Sequence, residues 1–211
     1  MEYLAHRGMW FEEEERNTLA AFFQGLDAGF GLELDIRDMG GALVISHDVP
    51  QPINPPPTLT ELFSYYSKHQ CTSTLALNIK ADGLHNLLLA QLNEFEIKNY
   101  FVFDMAVPDA IAYSARGMKL FMRSSDLEIY RGNPPVSGIW LDELIDNWVD
   151  SQTILKELAR ADKLCVVSRE LHGRDKTGQW NDLKLALSIK GVSNKLMLCT
   201  DFPQEAKRFF E

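Results

Sequence analysis

The chain has 211 residues, with 21 Lys plus Arg against 30 Asp plus Glu for a formal net charge of −9, and 45% of its residues are hydrophobic. That describes one soluble globular domain over residues 1–211, able to bury a core unaided and too short for a second domain of ordinary size. The acidic balance argues against nucleic acid as a partner, three cysteines without CxxC spacing exclude a disulfide framework or zinc cluster, and no apolar run reaches the roughly 18 residues of a membrane span.

A strand over 3–6 leads through the acidic run Glu12–Glu15, a solvated loop, into a helix over 18–28. A strand over 31–36 follows. Asp38-Met39-Gly40-Gly41 then turns the chain into a return strand, Ala42–Ser46, making a β-hairpin. The prolines at 50, 52, 55, 56 and 57 forbid helix and deliver the chain to Thr58, an N-cap with Glu61 three residues later, opening a helix over 58–68. Further strands at 73–79, 100–103, 118–122, 137–141, 164–168 and 196–199 alternate with helices near 84–95, 107–115, 151–161, 180–190 and 203–210. The link at 124–134 carries the weakest helical pattern. Eight strand–helix units with parallel strands predict a (β/α)8 TIM barrel with a small β-hairpin insertion after the second strand; a doubly wound open sheet is the alternative.

Strand side chains alternate between faces, so Leu32, Leu34 and Ile36 share one face and Glu33 and Asp35 the other. In a barrel these two carboxylates point inward and are costly unless a cation neutralises them; a half-exposed edge strand with solvated acids is the alternative. By the same spacing Asn78 and Lys80 face together, and a strand ending in Lys suggests an anion site. Asp104, Asp142 and Asp201 each follow an apolar strand at the end where barrel enzymes place their sites, where they serve either there or as helix caps. His6, His47 and His172 fall at strand ends, while His69 and His85 read as surface residues on helices. Ser168, Glu170 and His172 align only if the strand runs through that whole segment. Trp10, Phe11 and Trp148 read as packing residues, with a lid or an interface as the alternative.

Taken in order, Ala5-His6-Arg7-Gly8, Asn17-Thr18-Leu19-Ala20-Ala21-Phe22, Glu33-Leu34-Asp35, His47-Asp48, Pro57–Leu62, Asn78-Ile79-Lys80 and Thr200-Asp201-Phe202-Pro203 resemble the motifs of the glycerophosphodiester phosphodiesterase family, among the phospholipase-C-like barrels. The resemblance implies a metal-dependent hydrolase of lipid metabolism acting on a small soluble phosphodiester, glycerol-based or sugar-linked, in the cytoplasm. It implies Mg2+ or Ca2+ held by Glu33, Asp35 and the residue at Asn78, His6 and His47 as general acid and base, and Arg7 and Lys80 on the phosphate oxygens. A hard cation with oxygen ligands and fixed positive groups suits a phosphoryl displacement.

The departures are specific. Asn78 stands where the family has a Glu, so metal binding is expected to be weaker or to recruit another acid such as Asp104 or Asp142. Arg16 replaces an acid, and the segment between His47 and Asn78 is too short for the family's usual insertion. Glu170, His172 and Arg174 are expected either to contact a different alcohol or to form a polar loop. Two further readings stay open: a barrel that binds a phosphorylated small molecule without turnover, and an unrelated barrel enzyme, such as an isomerase, using Glu170 and His172.

Overall fold

The computed structural model describes all of residues 1–211. In chain order the elements are β1 (Glu2–His6), α1 (Leu19–Asp27), β2 (Gly31–Met39), β3 (Ala42–Ile45), α2 (Leu59–Lys68), β4 (Leu75–Ile79), α3 (His85–Glu94), β5 (Tyr100–Phe103), α4 (Val107–Ala115), β6 (Phe121–Ser124), β7 (Gly138–Leu141), α5 (Ser151–Leu158), β8 (Lys163–Val167), α6 (Thr177–Leu187), β9 (Leu196–Thr200) and α7 (Pro203–Phe210). Eight parallel strands run in the order β5-β4-β2-β1-β9-β8-β7-β6. The ends of that row meet where the Val102 amide donates to Lys119 O at 2.8 Å beside a Val102–Leu120 bridge, so the sheet forms a nearly closed (β/α)8 barrel.

The strand β3 pairs antiparallel with the outer end of β2 through a two-residue turn at Gly40 and Gly41, both at positive φ, which is the hairpin turn that follows strand twist. Helix starts follow the sequence. Thr58 accepts from the Glu61 amide while Glu61 accepts from the Thr58 amide at 2.8 Å, a reciprocal cap for α2, and Thr18 caps α1. Between β6 and β7 there is no helix; residues 125–137 form a loop whose Asp126 accepts from the amides of Leu144, Ile145 and Asp146.

Alternation along the strands produces two cores. Leu32, Leu34, Ile36, Leu77 and Val166 face outward into the layer between sheet and helices. Leu4, Ala76, Phe101, Phe103, Phe121, Trp140 and their neighbours fill the barrel itself. Four aromatics make that inner core bulky: Phe101 stacks on Phe121 at 3.8 Å and Phe103 on Trp140 at 3.9 Å. Gly138 makes room for them, since a Cβ there would lie 2.2 Å from the Phe121 ring.

The two helix histidines differ. His69 is exposed at the end of α2 as expected, but His85 is only 16% exposed, packed 3.4 Å from Asp109 and edge-on to Tyr113 between α3 and α4. Phe11 is exposed, whereas Trp10 and Trp148 are half-buried and donate to His6 O and Asp142 O.

Candidate active site

At the C-terminal ends of the strands, above Phe103 and Trp140, lies a cleft of about 280 Å³. His6 closes β1, and its Nδ1 lies 2.6 Å from Asp201 Oδ1 beyond β9, while its Nε2 is 3.8 Å from Glu33 Oε2. Asp201 is steadied in turn, because its amide donates to Glu170 Oε1 at 3.2 Å and Thr200 Oγ1 bonds the same oxygen. Glu170 also bonds Ser168, which accepts from Trp180 Nε1.

Glu33 and Asp35 are buried, as the alternation of β2 requires. Burial, reinforced by the neighbouring Asp35 carboxylate, pushes the Glu33 acid above the usual carboxylate range; His6, Arg7 and Lys80 pull the other way. Glu33 accepts from the Arg7 amide and from Asn78 Nδ2 at 3.2 Å. Asp35 accepts from Asn17 Nδ2 at 2.9 Å and faces Arg7 Nε at 3.1 Å and Lys80 Nζ at 3.4 Å. Lys80 reaches on to Asp104, which is paired with Arg123. Arg7, Asn17 and Asp104 all hold positive φ, a conformation that costs non-glycine residues energy and that clusters where geometry is functionally constrained.

Of the site residues that the resemblance implied, Arg7, Glu33, Asn78 and Lys80 line the cleft with His6, and Asp35 sits behind Arg7 and Lys80; Asp104, Asp142 and His172 line it too. His47 stands apart. It follows β3 on the proline-rich loop, is 48% exposed, bonds Asp48 at 2.8 Å, and lines an open basin of about 780 Å³ with Arg16, Asn17 and prolines 55–57. Arg7 borders both the basin and the cleft.

The acids expected as substitute ligands are engaged elsewhere: Asp104 by Lys80 and Arg123, Asp142 by His172 Nε2 at 2.7 Å and the Glu143 amide. Of the trio expected to touch an alcohol, only His172 lines the cleft. Strand β8 stops at Val167 and a 3-10 turn follows, which turns Glu170 onto Ser168, Thr200 and the Asp201 amide, while Arg174 bonds Ile145 O and Asn147. Glu170 and His172 therefore do not form one acid–base centre. Arg123 was not anticipated, although it stands two residues beyond the inward Phe121 on β6, the same spacing that identified Glu33 and Asp35. Behind the site, Arg169 and Glu143 form a buried pair at 2.6 Å, with Gln179 Nε2 and the Val149 amide completing the carboxylate's bonds.

No family model matches the chain, and no curated protein matches it in sequence. Its fold is shared with solved structures. A protein from Galdieria sulphuraria provisionally described as a glycerophosphodiester phosphodiesterase aligns at a TM-score of 0.78 and 14% identity, over 99% of this chain and 97% of its own. An Oleispira antarctica phosphodiesterase in complex with its product sn-glycerol-3-phosphate aligns at 0.67 and 18%, over 99% and 96%. A calcium-dependent phosphatidylinositol-specific phospholipase C from Streptomyces antibioticus aligns at 0.55 and 10%, over 100% and 95%.

Proposed function

We propose that the chain is a metal-dependent phosphodiesterase of the glycerophosphodiester phosphodiesterase family, hydrolysing a small soluble phosphodiester. The observation that carries this reading is the gathering in one cleft of His6 held on Asp201, the buried carboxylate Glu33 backed by Asp35, and the cations Arg7 and Lys80. The ordered sequence motifs and the shared fold support it, as does the product held by the Oleispira phosphodiesterase.

A divalent cation fits this chain's residues. Asn78 Oδ1 is buried and accepts no hydrogen bond, and Asp35 Oδ1, buried with it, accepts none either and faces only Lys80 Nζ at 3.4 Å, which gives two oxygens beside the Glu33 carboxylate. No three acidic, histidine or cysteine side chains gather into a metal cluster, so the third oxygen is a neutral amide and the affinity is expected to be modest. Glu33, Asp35 and Asn78 would hold Mg2+ or Ca2+, which when bound supplies charge stabilisation at the phosphoryl oxygens.

The chain's own groups do the rest. Arg7 and Lys80 hold phosphate oxygens and offset charge that develops as the nucleophile enters. His6, with Nδ1 committed to Asp201, exchanges a proton at Nε2; His47, across Arg7 in the basin, exchanges the other with the alcohol oxygen. Free cysteines and an acidic surface accord with a cytoplasmic protein handling a small molecule and no nucleic acid.

One observation favours a second reading. Asp35 already faces Arg7 and Lys80, and Asn78 supplies no charge, so the barrel would bind a phosphorylated small molecule without turnover. Release of glycerol 3-phosphate from glycerophosphocholine, followed with Mg2+, Ca2+ or chelator, tests the first reading. Metal-dependent release supports it; absence of release, with glycerol 3-phosphate still bound in calorimetry, supports the second.

A further inference from the structure

The barrel has a second opening, at the end opposite the cleft. Tyr100, Phe121 and Lys163 are the first residues of β5, β6 and β8, and with Met197 near the start of β9 and the residues that lead into β4, β5 and β7 they line a cavity of about 220 Å³. Its floor is the base of the inner core, where Phe101 and Phe121 stack at 3.8 Å. Side chains normally fill a barrel of this kind through to its base. Here the cavity lies on the seam between β5 and β6, which is joined by the bond from the Val102 amide to Lys119 O and one Val102–Leu120 bridge, and Lys119 belongs to both seam and cavity.

The polar groups around this cavity are unequally engaged. Thr74 commits its amide and its hydroxyl to the Glu2 carboxylate, and Asn99 commits Nδ2 to Thr72 O. Lys119 and Lys163 are exposed at the rim, Asp162 is the one carboxylate among the lining residues, and Lys195 adjoins Lys163 in the neighbouring hollow. Lys119 Nζ meets Lys98 O, a neutral partner that leaves its charge uncompensated, 5.7 Å from the centre of the Tyr100 ring. Cations over an aromatic floor suit an apolar anion: a hydrocarbon would leave the ammonium groups without a partner, and a bare inorganic anion would leave the floor uncovered. Phe101, Phe121 and Tyr100 favour a planar ring, which makes edge-on or offset contacts with them. The volume lies below the roughly 300 Å³ at which pockets for drug-sized ligands begin, so it suits a single ring.

We infer that this basal cavity binds a small aromatic carboxylate, with its ring against Phe101 and Phe121 and its carboxylate toward Lys119 and Lys163. The site is separate from the cleft and stands whether or not the cleft hydrolyses a phosphodiester.

Fluorine NMR of 4-fluorobenzoate titrated with the whole protein at constant ionic strength tests it, with 4-fluorobenzyl alcohol as the neutral ring and sn-glycerol 3-phosphate as the ligand directed to the cleft. The wild type is expected to bind 4-fluorobenzoate saturably and about fivefold or more tightly than the alcohol, and excess glycerol 3-phosphate leaves that binding in place. In the double variant Lys119→Gln/Lys163→Gln, which alters only exposed side chains, the preference for the carboxylate collapses while the alcohol binds as before. Absence of saturable binding to the wild type overturns the inference, as does equal affinity for the alcohol, or a preference that survives in the double variant. Displacement by glycerol 3-phosphate overturns it too, by placing the ring in the cleft.

Discussion

At the residue scale, Glu33 is a carboxylic acid held where ionisation is costly. It is buried beside a second carboxylate, and burial keeps its acid above the ordinary glutamate range. Between the ordinary value and the raised one, the unfolded chain has released this proton and the folded chain has kept it. The folded state then binds more protons, so this group's contribution to stability falls as pH rises through that window. Glu33→Gln is expected to remove the slope and raise Tm at neutral pH by roughly 2–4 °C for each kcal/mol recovered, while added Mg2+ or Ca2+ raises Tm in the wild type only. Calorimetric scans from acid to neutral pH check this, and a variant that melts below the wild type at neutral pH contradicts it. The same two inward carboxylates were legible from the alternation of five residues on β2. The His172–Asp142 pair was not, because it depends on where β8 ends: a strand through Ser168, Glu170 and His172 would have presented all three, and the 3-10 turn presents one.

At the scale of elements, the inner and outer cores place different demands on the same strands. Gly138 opens β7 against the tip of the Phe121 ring, which is itself stacked on Phe101. Gly138→Ala is expected to cost about 1–3 kcal/mol by overpacking, read from urea denaturation; a loss below about 0.5 kcal/mol would show that the aromatic layer yields. The loop after β7 and the turn after β8 are fastened by the buried Glu143–Arg169 pair with Gln179 of α6. Arg169→Met would leave Glu143 buried without its cation, at a cost of about 3–5 kcal/mol, and adding Glu143→Gln should restore part of it. No recovery in the double variant would mean that the pair matters for shape and not for charge. The strands and helices themselves followed the sequence closely, since a 2-residue or 3.6-residue apolar period is imposed by burial against the sheet. The 125–137 link did not declare itself, because its shape is set by Asp126 bonding amides of the next loop, a contact with no local sequence period.

Over the whole molecule, a net charge of −9 coexists with Arg7, Arg16, Lys80 and Arg123 grouped at one end of the barrel. Asp35, Asp104 and Asp201 pair with these cations, so the mouth concentrates charges of both signs and carries no uniform field. No helix is long and apolar enough to cross a membrane. The barrel is shared by enzymes of many chemistries, so fold likeness at 10–18% identity leaves the activity to be argued from the cleft. There His6, Asp201, Glu33, Arg7 and Lys80 make the argument. Phosphorus NMR tests it most directly, with the purified protein incubated with a panel of glycerophosphodiesters and sugar phosphodiesters in Mg2+, Ca2+ or chelator. The account predicts a metal-dependent product resonance whose rate of appearance falls about 10²–10⁴-fold in His6→Ala, with its chemical shift separating a monoester from a cyclic phosphate. No new resonance from any diester with either metal, or one that persists undiminished in His6→Ala, would contradict it.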